Sequence, residues 1–200
     1  MKDSTSTAHP ETLVEYPSER TDTRAPPLDV NAIHAAHVDF VWRTLQRFGV
    51  RDADLEDALQ EVFVVVFQRL HTYDPAVRVT TWLHGIARRV AIAWRRRAYI
   101  RRERTVEGLP EPRAAEEGNP ESVASEREAR ARLAAILDTL DPDRRAVFVM
   151  FEIDGVPCDE IAALMGVPVG TVYSRLHAAR KDFERALARW RARDPQGAAR

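Results

Sequence analysis

The sequence predicts an all-α protein: two small helical domains joined by a flexible linker. Three observations lead there. Apolar residues recur at helical spacing through 28–104 and again through 127–190. Between those blocks, 105–128 gathers Gly, Pro and Glu without periodicity. No segment needs a strand to explain it.

Taken in order, residues 1–27 mix Ser, Thr, Pro and both charge signs and read as a disordered leader. From Leu28, Ile33, His37, Phe40, Val41, Leu45 and Phe48 follow helical offsets, and Gly49 is the expected stop. Asp52 or Asp54 is then the expected cap of a second helix. That helix carries Leu55, Leu59, Val62, Phe63, Val66, Phe67 and Leu70 on one stripe, with Asp57, Gln60, Glu61, Val64 and Gln68 opposite. Its run Val62–Phe67 has strand-forming composition, yet the flanking residues keep the 3.6 period, so helix is expected. Thr80 or Thr81 is expected to cap a third helix reaching about Arg104, with Leu83, Ile86, Val90 and Ala93 on one side. An extended acidic Pro/Gly linker follows over 105–127.

The second domain, 128–193, opens with a helix using Leu133, Ile136, Leu137 and Leu140. Asp141-Pro142 marks the next start, with Asp141 as cap and Pro142 in the first turn. Pro157 opens a short helix, Gly166 makes a turn, and a long helix bears Val172, Leu176, Ala179, Phe183, Leu187 and Trp190 on one face. Residues 194–200 read as a frayed tail.

Charge is segregated although the total is only −1. Residues 75–104 hold nine Arg against one Glu, 105–128 seven Glu against two Arg, and 170–200 eight basic against three acidic residues. Separate basic blocks of this kind suit a polyanionic partner. One cysteine, Cys158, excludes an intramolecular disulfide and a Cys-rich metal site. With no long apolar run and no secretory h-region, no membrane span is expected, and the chain is expected to be soluble and cytoplasmic. Phosphate-loop, Gly-x-Ser-x-Gly and His-Glu-x-x-His motifs are lacking, and His34 with His37 has no completing ligand set. The expectation is no enzyme, no cofactor, no metal site and no small-molecule substrate.

Ala162, Gly166 and Val172 stand where a helix-turn-helix needs a small crossing residue, a tight turn and an apolar residue packing back. If Val172, Leu176, Ala179 and Phe183 face inward, then Tyr173, Ser174, His177, Ala178 and Lys181 face outward, where such a helix reads base edges. Arg175, Arg180 and Arg185 are placed for phosphates. The alternative is a plain helical hairpin with a solvated basic face. The Trp82–Arg104 block interleaves Trp94 and Tyr99 with Arg95, Arg96, Arg97 and Arg101, a pattern suited to single-stranded nucleic acid. Trp82 is equally well read as core. The Asp57, Gln60, Glu61, Val64 stripe suits a basic partner helix, or is simply solvated.

Together these segments resemble the extracytoplasmic-function (ECF) sigma factors of the sigma-seventy family. DLEDALQEVFVVVFQRLHTYD is similar to region 2.2, TTWLHGIARRVAIAWRRR to regions 2.3–2.4, and LDTLDPDRRAVFVMFEIDGVPCDEIAALMGVPVGTVYSRLHAARKDFERAL to region 4. The resemblance implies a region 2-like bundle over 28–104 and a region 4-like helix-turn-helix domain over 128–193. It implies that Asp57, Gln60, Glu61 and Val64 dock on the β′ clamp helices of core RNA polymerase, with further contact to the β subunit. It further implies melting and reading of the −10 element by Trp82, Arg88, Arg89, Trp94, Arg95, Arg96 and Arg97. For the −35 element it implies Thr171, Tyr173, Ser174, Arg175, His177, Arg180 and Lys181. An anti-sigma factor is an implied partner, and association with the nucleoid an implied location when active. The rival reading is a stand-alone helix-turn-helix regulator.

Overall fold

The computed structural model describes residues 29–104 and 120–193, all of whose regular elements are helical. The leader, most of the linker and the tail lie outside the described residues.

Helix α1 (Val30–Arg47) starts at Asp29, whose carboxylate accepts from the Asn31 N–H at 3.3 Å. Gly49 takes φ +88° just past its end, a value that L-residues with a Cβ avoid. A 3₁₀ turn at Asp52–Asp54 leads into α2 (Leu55–Arg69). Here the capping expectation fails. Asp54 makes no side-chain cap bond; it is buried and pairs with Arg51 at 2.7 Å and Arg101 at 3.0 Å. Two guanidinium groups outcompete the backbone for that carboxylate. The valine-rich run is helix throughout.

Helix α3 (Val79–Arg104) begins before Thr80, so neither Thr80 nor Thr81 caps it. Thr81 instead is buried and donates its hydroxyl to Glu160 at 2.8 Å. Helix α4 (Pro120–Leu137) starts well before the expected boundary, and 120–127 is helical rather than extended linker. Pro120 at the first helical position has a preset φ, and the Ser, Ala, Glu and Arg residues that follow tolerate helix.

Helix α5 (Pro142–Phe148) has the expected start: Asp141 accepts from the N–H groups of Asp143 and Arg144, and Pro142 stands in the first turn. A π-helical turn, Val149–Ile153, extends it to Asp154. Helix α6 (Cys158–Met165) and α7 (Val169–Arg193) flank Gly166, whose φ is +66°. Pro157 is the residue before α6 rather than its first residue.

Helices α1–α3 form one bundle and α4–α7 a second, and the two pack together. Their buried residues make one continuous cluster, from Leu45, Val62, Leu83 and Val90 to Leu137, Met150, Ile161 and Leu176. Where α3 crosses α6 the approach is close: a Cβ on Gly85 would lie 3.1 Å from Leu164 Cδ1, so that side chain would have to give by a few tenths of an ångström.

Candidate nucleic-acid and partner interfaces

On α2 the outward stripe is exposed at Asp57, Gln60 and Val64, but Glu61 is turned aside. Its Oε2 accepts from the Trp94 indole N–H at 2.9 Å and from Arg97 Nη1 at 3.0 Å. Glu61 therefore braces α2 to α3, and the free face loses one carboxylate. It gains an aromatic ring in exchange. Phe67, placed on the core stripe by periodicity, is 71% exposed, and Val64 is 53% exposed. At 3.6 residues per turn Phe67 lies about 20° from Gln60, seven residues earlier, so it belongs to the outer face. The apolar character of Phe67 disguised that position.

Along α3 the predicted nucleic-acid residues separate. Trp82 is half-buried against Tyr73, ring centroids 5.1 Å apart, so part of it belongs to packing. Burial holds the Tyr73 hydroxyl above its ordinary value, with Asp74 adding to the effect. Arg97 stacks over Trp94 at 5.0 Å. Arg89 and Arg96 point outward to solvent, while Arg95 lies half-buried near the Phe48 carbonyl at 3.4 Å. Arg95, Arg96, Trp94 and Tyr99 line an open groove of about 580 Å³ between α3 and the α4–α5 turn.

Arg88 goes elsewhere. It pairs with Asp143 at the start of α5, and Asp143 also takes Arg175 of α7 at 2.9 Å. One carboxylate thus joins an arginine from each predicted DNA-contacting helix.

The helix-turn-helix has the expected geometry. Ala162 and Val172 are buried at the crossing. Tyr173 is 58% exposed, and Ser174, His177 and Lys181 are exposed beside it. Thr171 is half-buried, and its carbonyl accepts from the Ser174 hydroxyl at 2.9 Å. Arg180 pairs with Glu152 at 2.6 Å and Arg185 with Asp182, so both arginines already hold carboxylates. Cys158 is buried against this unit, and burial pushes its thiol up, as suits a packing residue.

The groups that join the two bundles had no signal in the sequence. His84 is 1% exposed: its Nδ1 faces the Thr80 carbonyl and its Nε2 faces Asp154, each at 2.9 Å. Arg47 reaches the same Asp154 at 2.8 Å. From the other side, buried Arg145 donates to the carbonyls of Arg47 and Gln46 at the end of α1 and to Asp138. Burial pulls its guanidinium below the ordinary value, and the bond to Asp138 partly restores it.

With this geometry in view, the similarities to known proteins are consistent. Residues 33–101 match the family described as Sigma-70 region 2, and 130–183 match Sigma-70, region 4. The ECF RNA polymerase sigma factor SigE of Mycolicibacterium smegmatis is 37% identical over 166 residues, 81% of this chain and 63% of that protein. The ECF RNA polymerase sigma-E factor of Escherichia coli strain K12 is 32% identical over 142 residues, 68% of this chain and 74% of its own length. Two solved structures share the fold. The sigma factor RpoE with the anti-sigma factor NepR, from Bartonella quintana, aligns at TM-score 0.61 and 15% identity over 79% of this chain and 96% of that one. CnrH in complex with the cytosolic domain of CnrY aligns at 0.59 and 24%, over 80% and 87%.

A region 2 bundle followed by a region 4 helix-turn-helix is the architecture of a sigma-70-type initiation factor. Within that class, the chain belongs to the ECF RNA polymerase sigma factor family. Members of this family are transcription initiation factors rather than enzymes.

Proposed function

We propose that this chain binds core RNA polymerase and directs it to a subset of promoters, with no catalysis of its own. The observation that carries the reading is the outer face of α2. Phe67 and Val64 stand exposed there beside Asp57 and Gln60, on the helix that matches the polymerase-binding segment of the family. An exposed phenyl ring rimmed by polar groups is the usual form of a docking anchor. The partner is the β′ clamp, with the β subunit contacting the rest of the chain.

Promoter DNA is the second partner. Arg88, Arg89, Trp94, Arg95, Arg96 and Arg97, with the exposed edge of Trp82, serve the −10 strand. Tyr173, Ser174 and His177 read the −35 duplex, with Thr171, Arg175, Arg180 and Lys181 beside the phosphates. For Arg88, Arg175 and Arg180 this requires release from Asp143 and Glu152. The two domains are the 28–104 and 128–193 units, with the helical segment 120–127 appended to the second. An anti-sigma factor is a further partner, supported by the fold shared with a sigma factor solved in such a complex. No helix of the described residues is long and apolar enough to cross a membrane, and the proposed place of action is the cytoplasm, at the nucleoid.

Run-off transcription with purified core enzyme on a fragmented genomic library tests the reading. Discrete transcript starts that depend on the chain are expected. Starts no different from core enzyme alone would overturn it.

A further inference from the structure

The second half of α3 carries a stripe that packing leaves largely unused. Ile92, Arg95, Arg96 and Tyr99 stand at i, i+3, i+4 and i+7, so they share one face of the helix. That face lines the open groove of about 580 Å³, whose other wall includes Pro142 and the turn after α1. Val50 and Ala98, both buried, supply apolar surface within it. Tyr99 is 64% exposed and has no ring or hydrogen-bond partner among the described residues. Trp94, the other aromatic at the groove, is already committed, its N–H to Glu61 and its face to Arg97.

Charge at the groove is unbalanced. Its two carboxylates are already met, Asp54 by Arg51 and Arg101 and Asp138 by Arg145. Arg95 and Arg96 meet no carboxylate among the described residues, and Arg95 has only the Phe48 carbonyl at 3.4 Å. Five guanidinium groups therefore surround two carboxylates. Burial is the first cause that lowers the Arg145 guanidinium, and the charge of Arg95 lowers it further. Cations crowded along a half-enclosed apolar surface draw an anion.

We propose that this groove is a binding site for a free nucleoside polyphosphate. The base stacks on Tyr99 beside the apolar surface, and the phosphates lie between Arg95 and Arg96, with Arg51 at the edge. The groove has the volume of a small-molecule site. Charge decides between a free nucleotide and a strand. A strand brings one phosphodiester charge with each base, whereas this groove offers one exposed ring and more positive charge than one phosphodiester neutralises. Arg95 and Arg96 are also among the side chains proposed above for the −10 strand, but the site rests on the groove and not on the promoter reading.

The test is fluorescence anisotropy of the full chain with ATP and GTP that carry a methylanthraniloyl group on the ribose, in low salt without magnesium. Saturable one-to-one binding of at least one probe is expected, at about 100 µM or tighter. Arg95→Gln combined with Arg96→Gln should weaken it at least about tenfold. Tyr99→Ala should weaken it at least about fivefold through loss of stacking. Arg189→Gln, at an exposed position on α7, removes a positive charge away from the groove and should bind as the parent does. Helical circular dichroism should be the same for all four chains. No saturable binding of either probe by about 1 mM would overturn the site. So would binding indifferent to Tyr99→Ala, a loss in Arg189→Gln as large as in the Arg95–Arg96 pair, or tighter displacement, per nucleotide, by an oligothymidylate of about ten bases than by the unlabelled nucleotide. Run-off transcription is scored separately, so a failed site leaves the sigma assignment standing and the reverse holds too.

Discussion

The Arg145 guanidinium lies over Gly49 at the end of α1, so close that a Cβ on Gly49 would fall 2.6 Å from Arg145 Nη1. The left-handed turn and the buried cation are one construction. Gly49 exposes the last carbonyls of α1, and Arg145 reaches across to bond those of Arg47 and Gln46.

Gly49→Ala is therefore expected to cost more than its left-handed φ alone, about 1–2 kcal/mol, because Arg145 must also shift. Arg145→Met should cost about 1–3 kcal/mol by leaving buried acceptors unmet. The double variant should be less damaging than the sum of the singles, since each disturbs the same contact. Urea unfolding of the three variants measures this, and strict additivity would refute the coupling.

Phe67→Ala should leave the stability of the free chain nearly unchanged, within about 0.5 kcal/mol, because the ring is already in water. Affinity for core polymerase should fall roughly tenfold or more. Fluorescence titration with core enzyme reads the second quantity. An unaltered dissociation constant would remove Phe67 from the interface.

Glu61 and Asp57 should behave differently although both lie on the matched segment. Glu61→Ala strands the Trp94 indole N–H and frees Arg97, a loss of about 1 kcal/mol in stability. Asp57→Ala should be neutral for stability and felt only in polymerase binding. Equal melting temperatures for the two would contradict the bracing role of Glu61.

Hydrogen bonds from Arg144, then Arg185, hold the Asp182 carboxyl below the usual carboxylate range. Its folded value is the lower one, so its contribution is present above the unfolded value and disappears as pH falls through the folded value. The difference in melting temperature between the parent and Asp182→Asn should be largest near neutrality and shrink in acid. A difference that grew on acidification would reverse the sign and refute the assignment.

What the sequence determined by itself was local. The 3.6 period, Gly49 and Gly166 at positive φ, the Asp141-Pro142 start and the Ala162–Gly166–Val172 turn depend on neighbours within a few residues, and each formed as read. The outward placement of Tyr173, Ser174 and His177 followed from the same helical arithmetic. Tertiary structure decided whatever depended on a partner far along the chain. Asp54 left its cap for Arg51 and Arg101, Glu61 turned to Trp94, Phe67 found no second layer to cover it, and Arg88 met Asp143. Charge–charge and apolar contacts between residues dozens of positions apart carry no periodic signature. Their outcome depends on which helix faces which, and that was settled only when the two bundles closed on each other.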